Sequence, residues 1–268
     1  MRSRGWGWVL AFLLTLVLSV WQRLSGPTYP VRGRVALGDT VVTLKLSRSH
    51  GGEGDQPVRI QAPDEAVGGE VAWRRFPTTD PWQRVQLQRS GEWLEAALPK
   101  QPPAGTLEYQ VRLHRGDQQT VFPPRPAVTR FKGAVPAPYL IAHIAAMIVA
   151  LLCAARAGFE ALVPGGEPRR LAWVTLAALV LGGFILGPVV QKYAFDAWWT
   201  GVPFGWDLTD NKTLVAGLAW LWAVWRLRGG RPARWSVVAA TIVTLAVFAV
   251  PHSVWGSQID WSAQPPVG

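Results

Sequence analysis

Leu107-Glu108-Tyr109-Gln110-Val111-Arg112-Leu113-His114 alternates apolar and polar residues without a break. A period of two sends successive side chains to opposite faces, so this stretch predicts a strand with one buried and one wetted face. Such a strand needs partners to cover its apolar side. Upstream, Val42, Leu44 and Leu46 alternate with Thr43, Lys45 and Ser47, and shorter runs of the same kind fall at residues 31–36, 58–61, 70–74, 85–88, 93–98 and 120–122. Turn formers separate them, among them Ser49-His50-Gly51-Gly52, Ser90-Gly91 and Arg115-Gly116-Asp117. No helical period intervenes. The pattern predicts an antiparallel β-sandwich over residues 30–133.

On either side of this region the alternation gives way to continuous apolar runs at residues 5–21, 139–155, 171–190, 209–225 and 235–250. Each is close to the ~17–25 residues that cross a hydrocarbon layer of about 30 Å. The chain therefore divides into an N-terminal membrane anchor (1–22), the sandwich, a four-helix membrane domain (137–251) and a tail (252–268). A mean hydropathy of only +0.15 over 268 residues conceals that division. The first run follows Arg2 and Arg4, and Ser19-Val20-Trp21-Gln22 lacks the small residues a signal peptidase requires, so the run is expected to remain as an anchor. Of the 16 tryptophans, all but Trp73, Trp82 and Trp93 lie outside the polar region, several at the ends of apolar runs where an indole suits the headgroup layer.

Loop charges set the orientation, because Lys and Arg are retained on the cytoplasmic side. Arg2 and Arg4 precede the first run, Arg156, Arg169 and Arg170 separate the second from the third, and Arg226, Arg228, Arg231 and Arg234 separate the fourth from the fifth. With about five spans all three groups share one side. The expected protein is a membrane α-helical bundle in a bacterial cytoplasmic (inner) membrane, N-terminus inside, C-terminus outside, with the sandwich extracytoplasmic.

The net charge of +10 does not point to nucleic acid, since much of the excess flanks apolar runs and no basic cluster is interleaved with aromatics. The single cysteine, Cys153, lies in an apolar run, so the sandwich has neither a disulfide nor a thiolate metal site. His50 and His114 and the scattered acids of the sandwich read as solvated surface. The domain suits a binding role, with a protein partner on the extracytoplasmic side and the lipid bilayer beneath.

Five spans bring four polar features to the outer face. His143 lies inside the second span and His252 follows Pro251 beyond the fifth. Ionisable groups at membrane depth usually face a bundle interior, and two imidazoles from two helices suit a haem iron or a divalent metal. Asp207 and Asp210 would extend such a set to a His–carboxylate metal site, although either acid also fits the N-terminal turn of the fourth span. The loop ahead of them carries Tyr193, Phe195, Trp198, Trp199, Phe204 and Trp206, expected to form an interfacial hairpin or a lid over a quinone-like ligand. Gly183 and Gly187, followed by Pro188, form a small-xxx-small pair for close helix approach.

Pro102-Pro103-Ala104-Gly105-Thr106-Leu107-Glu108-Tyr109 resembles the approach to the penultimate strand of immunoglobulin-like and fibronectin type III domains. That resemblance implies that Tyr109 ties its strand back to the preceding connection. Gly187-Pro188, the block from Phe204 to Lys212, Pro251-His252-Ser253 and Gly256-Ser257 resemble a family of uncharacterised bacterial multi-span membrane proteins, which implies a location but no activity. Ala142-His143-Ile144 with Met147 resembles the histidine-bearing helices of b-type cytochromes, without their repeated histidines. Two function classes follow: a scaffold or assembly subunit whose sandwich binds a partner, and a redox or metal-handling subunit built on His143 and His252. Transport is disfavoured, since no run of buried acids or broken-helix pair is readable.

Overall fold

A computed structural model describes residues 2–228, 233–256 and 258–261. Contacts divide them into a helical unit, residues 2–27 with 135–256, and a β unit, residues 28–134 with 258–261. Arg231 lies outside the described residues.

The helical unit contains α1 (Arg2–Ser25), α2 (Ala137–Leu162), α3 (Arg169–Leu179), a π-helical segment (Val180–Leu186), α4 (Gly187–Phe195), α5 (Leu208–Arg226) and α6 (Arg234–Ala249). The segments from α3 to α4 form one helix, Arg169–Phe195. Among the described residues, three helices are long and apolar enough to cross a membrane: α1, α2 and Arg169–Phe195. Of the five expected spans, the fourth and fifth fall short by that measure. The 16 residues of α6 rise about 24 Å, and α5 carries Asp210 and Lys212 in its first turns. The second helix runs on past residue 155, so Arg156 is a helix residue and not a loop residue.

Packing inverts the arrangement of a soluble bundle. The interior holds Ala150, Ala154, Ala157, Ala172, Ala216 and Ala240 around a fully buried Trp220, while Phe12, Val17, Ile141, Ile185, Leu218 and Ile242 point outward. Lipid tails are as apolar as these side chains, so association relies on close contact between small residues and on hydrogen bonds. Both occur. Thr241 Oγ1 donates to Ala154 O at 3.0 Å, tying α6 to α2, and Trp220 Nε1 donates to Thr244 Oγ1 at 2.8 Å, tying α5 to α6. Gly183 faces Thr213 of α5 in close approach, whereas Gly187 faces nothing that tight.

The described residues of the β unit form ten strands. β1 (Val31–Leu37) and β2 (Thr40–Leu46) form a hairpin. β3 (Ser49–Gly51), β10 (Gln118–Lys132), β9 (Thr106–Arg115), β5 (Val67–Arg75) and β6 (Gln83–Gln86) form a five-stranded sheet in that order. β4 (Gln56–Gln61), β8 (Trp93–Leu98) and β7 (Gln88–Ser90) form a third sheet. The expected antiparallel arrangement is corrected in two respects: β3 pairs parallel to β10, and the strands fall into three sheets. The predicted faces are kept, with Leu107, Tyr109, Val111 and Leu113 sharing one buried core with Val42, Leu44 and Leu46. The Tyr109 hydroxyl donates to Ser47 O at 2.7 Å, beyond the end of β2 and not on the connection preceding its own strand. Gln56 Nε2 reaches the same carbonyl, and Thr129 Oγ1 closes the network onto Gln56 Oε1 at 2.7 Å. Trp261 folds back from the tail, donating to Phe76 O at 3.0 Å beneath the Arg75 guanidinium.

A Cβ on Gly158 would lie 2.7 Å from the Thr241 methyl, whereas nothing stands within 4 Å of that position on Gly5. Gly158→Leu should therefore destabilise the detergent-purified protein by about 1–3 kcal/mol in thermal unfolding, and Gly5→Leu should leave it unchanged. In the β unit, Asp64 accepts from Ala66 N, Thr40 Oγ1 and Arg115 Nε at 2.9, 2.8 and 2.7 Å. These hydrogen bonds hold its carboxyl below the ordinary value. A carboxylate depressed in the folded state stabilises above its unfolded value, about 3.9, and loses that contribution as pH falls through the folded one. Asp64→Asn should thus melt below the parent at pH 7, and the gap should close on acidification.

Candidate functional site

The segment Asp207-Leu208-Thr209-Asp210-Asn211-Lys212 opens α5, and its polar side chains knit three parts of the helical unit together. Asp207 is the N-cap, its Oδ1 accepting from Thr209 N at 2.8 Å. Asp210 is buried in the first turn and turns toward the preceding loop. Its Oδ2 accepts from Thr200 N at 2.6 Å and from Gly201 N, Thr200 Oγ1 and Gln191 Nε2 at 3.1 Å each. Asn211 Oδ1 adds Val202 N at 2.8 Å. Gly201 permits this approach, since a Cβ there would lie 2.7 Å from that of Asp210. Lys212, also buried, extends the other way and donates to Val250 O at 2.7 Å and Pro251 O at 3.3 Å. It thereby supplies carbonyls at the end of α6 with donors they lack within the helix.

The same helix end draws two donors from α1. Trp21 Nε1 donates to Ala249 O at 2.9 Å and Gln22 Nε2 to Phe248 O. Beside this junction lies a cavity of about 420 Å³ between α1, α2, the third helix and α6. Its wall is largely apolar, with Leu140, Met147 and Phe248, and it carries both His143 and His252. A volume between 300 and 1,000 Å³ with a few convergent polar groups is the usual form of a small-molecule site.

His143 is oriented by the π-helical segment. Its Nδ1 lies 2.9 Å from Gly182 O, and a carbonyl only accepts, so Nδ1 carries the proton. In the neutral ring Nε2 is left with a lone pair that the Gly182 contact does not engage. The π-helical turn precedes Pro188, which has no N–H to donate, and Gly187 N bonds to Gly182 O, five residues back.

The sequence-derived set is thus divided. His143 and His252 line one cavity. Asp207 and Asp210 do not line it, and their carboxylates serve the loop and the start of α5. No group of three or more His, Cys, Asp or Glu placed to hold a metal ion occurs among the described residues. The aromatic loop also divides: Trp199 stacks on Phe184 and Tyr193 on Tyr139, whereas Phe204 and Trp206 stand 81% and 86% exposed, as an interfacial hairpin requires.

Two further groups escaped the sequence reading. Arg156 and Glu160, one helical turn apart on α2, pair at 2.5 Å with side chains only 6% and 11% exposed. The guanidinium packs on Gly7 and over the Trp8 ring of α1, and its Nε has no hydrogen-bond partner among the described residues. The i,i+4 spacing was the available signal. In the β unit, a hollow of about 330 Å³ on the five-stranded sheet is lined by Glu70, Arg84, Gln86, Arg112, His114 and Gln119. Glu70 holds Arg84 at 3.4 Å and Arg112 at only 3.8 Å, and the Arg112 Nε is buried without a hydrogen bond among the described residues. His50, expected in a turn, sits on β3 with Nε2 3.2 Å from Gly54 O.

Comparison with models of known protein families and with curated proteins finds no match.

Removing the Lys212 ammonium leaves the Val250 and Pro251 carbonyls bare, and each unsatisfied buried group costs about 1–3 kcal/mol. Lys212→Met and Asp210→Ala should each lower the melting temperature in detergent. Asp210→Ala should also open residues 196–207 to limited proteolysis, which Lys212→Met should do less.

Proposed function

We propose that the protein is a non-enzymatic scaffold or assembly subunit of a bacterial cytoplasmic membrane that presents its extracytoplasmic β domain to a protein partner. The single observation that carries this reading is the hollow on the five-stranded sheet, where Arg84 and Arg112 converge on one acid, Glu70, and the Arg112 Nε has no hydrogen bond among the described residues. A partner carboxylate would complete that set by charge-assisted hydrogen bonds. The surface belongs to a unit whose apolar core is its own, so it can be offered without cost to the fold. Sandwich folds commonly act as interaction modules, and alternating strands closed over one apolar core suit an immunoglobulin- or fibronectin-like relationship.

A five-span arrangement, N-terminus inside and C-terminus outside, fits this role. It is supported by Leu218, Leu221 and Ile242, which give α5 and α6 the outward apolar faces of the other helices. Three crossings and five leave the termini on opposite sides alike.

Co-purification from native membranes tests the role. A partner recovered with the full chain should be lost when residues 31–132 are deleted, and Arg84→Glu with Arg112→Glu should weaken its binding at least about tenfold. Retention of the same partner by the deleted chain would show that the β domain is not the binding element.

A second reading, a redox or metal-handling subunit, is favoured by one observation: His143 and His252 share a cavity, and the Gly182 carbonyl orients His143 as backbone carbonyls orient metal-ligating histidines. In that case the purified protein carries a Soret band or a stoichiometric metal.

A further inference from the structure

We infer that the His143 cavity is a binding site for a lipid-soluble molecule with a hydroxyl head, which donates its proton to His143 Nε2 and lays its apolar body along α2. This goes beyond the partner-presenting role and does not depend on it. It competes with the metal-handling reading, because both require the same nitrogen.

The inference rests on three features. The first is the tautomer. The Gly182 carbonyl fixes the proton on Nδ1, so Nε2 is an acceptor in neutral imidazole and selects a donor over a carbonyl or ether oxygen. The second is the shape of the wall. Leu140, Ile144, Met147, Ile148 and Leu151 follow one face of α2 over roughly 16 Å at 1.5 Å per residue, which suits an elongated body below a single polar head. The third is access. Ile144, Ile148 and Ser19 line the cavity and are exposed on the outer surface of the helical unit, where lipid would lie, so a ligand can enter from the bilayer.

The chemistry common to an aromatic diol and an aliphatic lipid alcohol is a hydroxyl on an apolar frame, and separate arms of one experiment distinguish them. Binding to the full-length protein in nanodiscs would be measured with decylhydroquinone, its dimethyl ether and decanol. Decylhydroquinone or decanol should bind, and whichever binds identifies the head group. The dimethyl ether should bind about five- to tenfold more weakly than decylhydroquinone if the latter is the ligand, the equivalent of one lost hydrogen bond of roughly 1–1.4 kcal/mol.

His143→Phe should abolish the preference for a hydroxyl. Because that substitution also removes one of the two donors to Gly182 O, Ser19→Trp supplies a second approach. Ser19 is exposed and lines the cavity, so a bulky side chain there should block it, reducing binding at least tenfold while the melting temperature is kept. Equal affinity for the diol and its dimethyl ether where the diol binds, unchanged binding in Ser19→Trp, or failure of both hydroxyl compounds to bind would overturn the inference. A stoichiometric haem or metal in the purified protein would overturn it as well, by claiming Nε2.

Discussion

A backbone carbonyl released from a helix and packed away from water needs another donor, and the helical unit is organised around supplying one. Two places create the demand. Pro251 terminates α6, and the carbonyls from Phe248 to Pro251 receive Gln22, Trp21 and Lys212 from α1 and α5. Pro188 interrupts the third helix, and in its π-helical turn Gly182 O, bonded by Gly187 N, receives His143 from α2 as a second donor. These bonds specify neighbours. A different packing order would leave several carbonyls bare at once, a penalty that nonspecific contact among alanines would not offset.

Much of the polar chemistry visible along the chain is committed to this task. Asp207, Asp210, Asn211 and Lys212 resemble a reactive cluster, yet each has a structural partner within the loop, the N-terminus of α5 or the end of α6. His143 differs because the carbonyl engages only one of its two nitrogens. A residue recruited to satisfy the backbone thereby acquires a defined tautomer and an acceptor that the backbone does not use. The Arg156–Glu160 pair is the counterpart farther along α2. There the acid neutralises a guanidinium that packs against α1, with Gly7 leaving room for it.

The strand pattern was legible wherever alternation ran for four residues or more, as in β2 and β9, because burial on one face writes itself directly into the sequence. β3 and β7 have only three residues each, too few to establish a period, and β3 pairs in parallel with β10, a choice made by tertiary packing. The helix ends were harder. Arg156 resembled a loop residue because a lone arginine after an apolar run normally is one, and only the acid one turn later shows that the helix continues. Gly182, Gly183 and Pro188 supplied the composition of an irregular turn but not its hydrogen bonding. Of the candidate site, the two histidines were identifiable as polar groups at similar depth. Their common cavity depends on the tilt and spacing of four helices, which no local pattern records.

Lys212 shows how the charges of this region balance. It lies near the N-terminus of α5, where the helix dipole disfavours a cation, but its ammonium reaches the C-terminus of α6, where the dipole favours one. The contact between these opposite ends makes α5 and α6 antiparallel neighbours and turns an unfavourable position into a matched one. Asp207 and Asp210 occupy the first turn of α5 with the sign its dipole prefers, and four donors from Gln191, Thr200 and Gly201 converge on Asp210. Two acids, one base and two helix ends thus compensate one another locally. The acids therefore have an electrostatic explanation without a bound cation, whereas the Gly182 carbonyl leaves the second nitrogen of His143 unengaged.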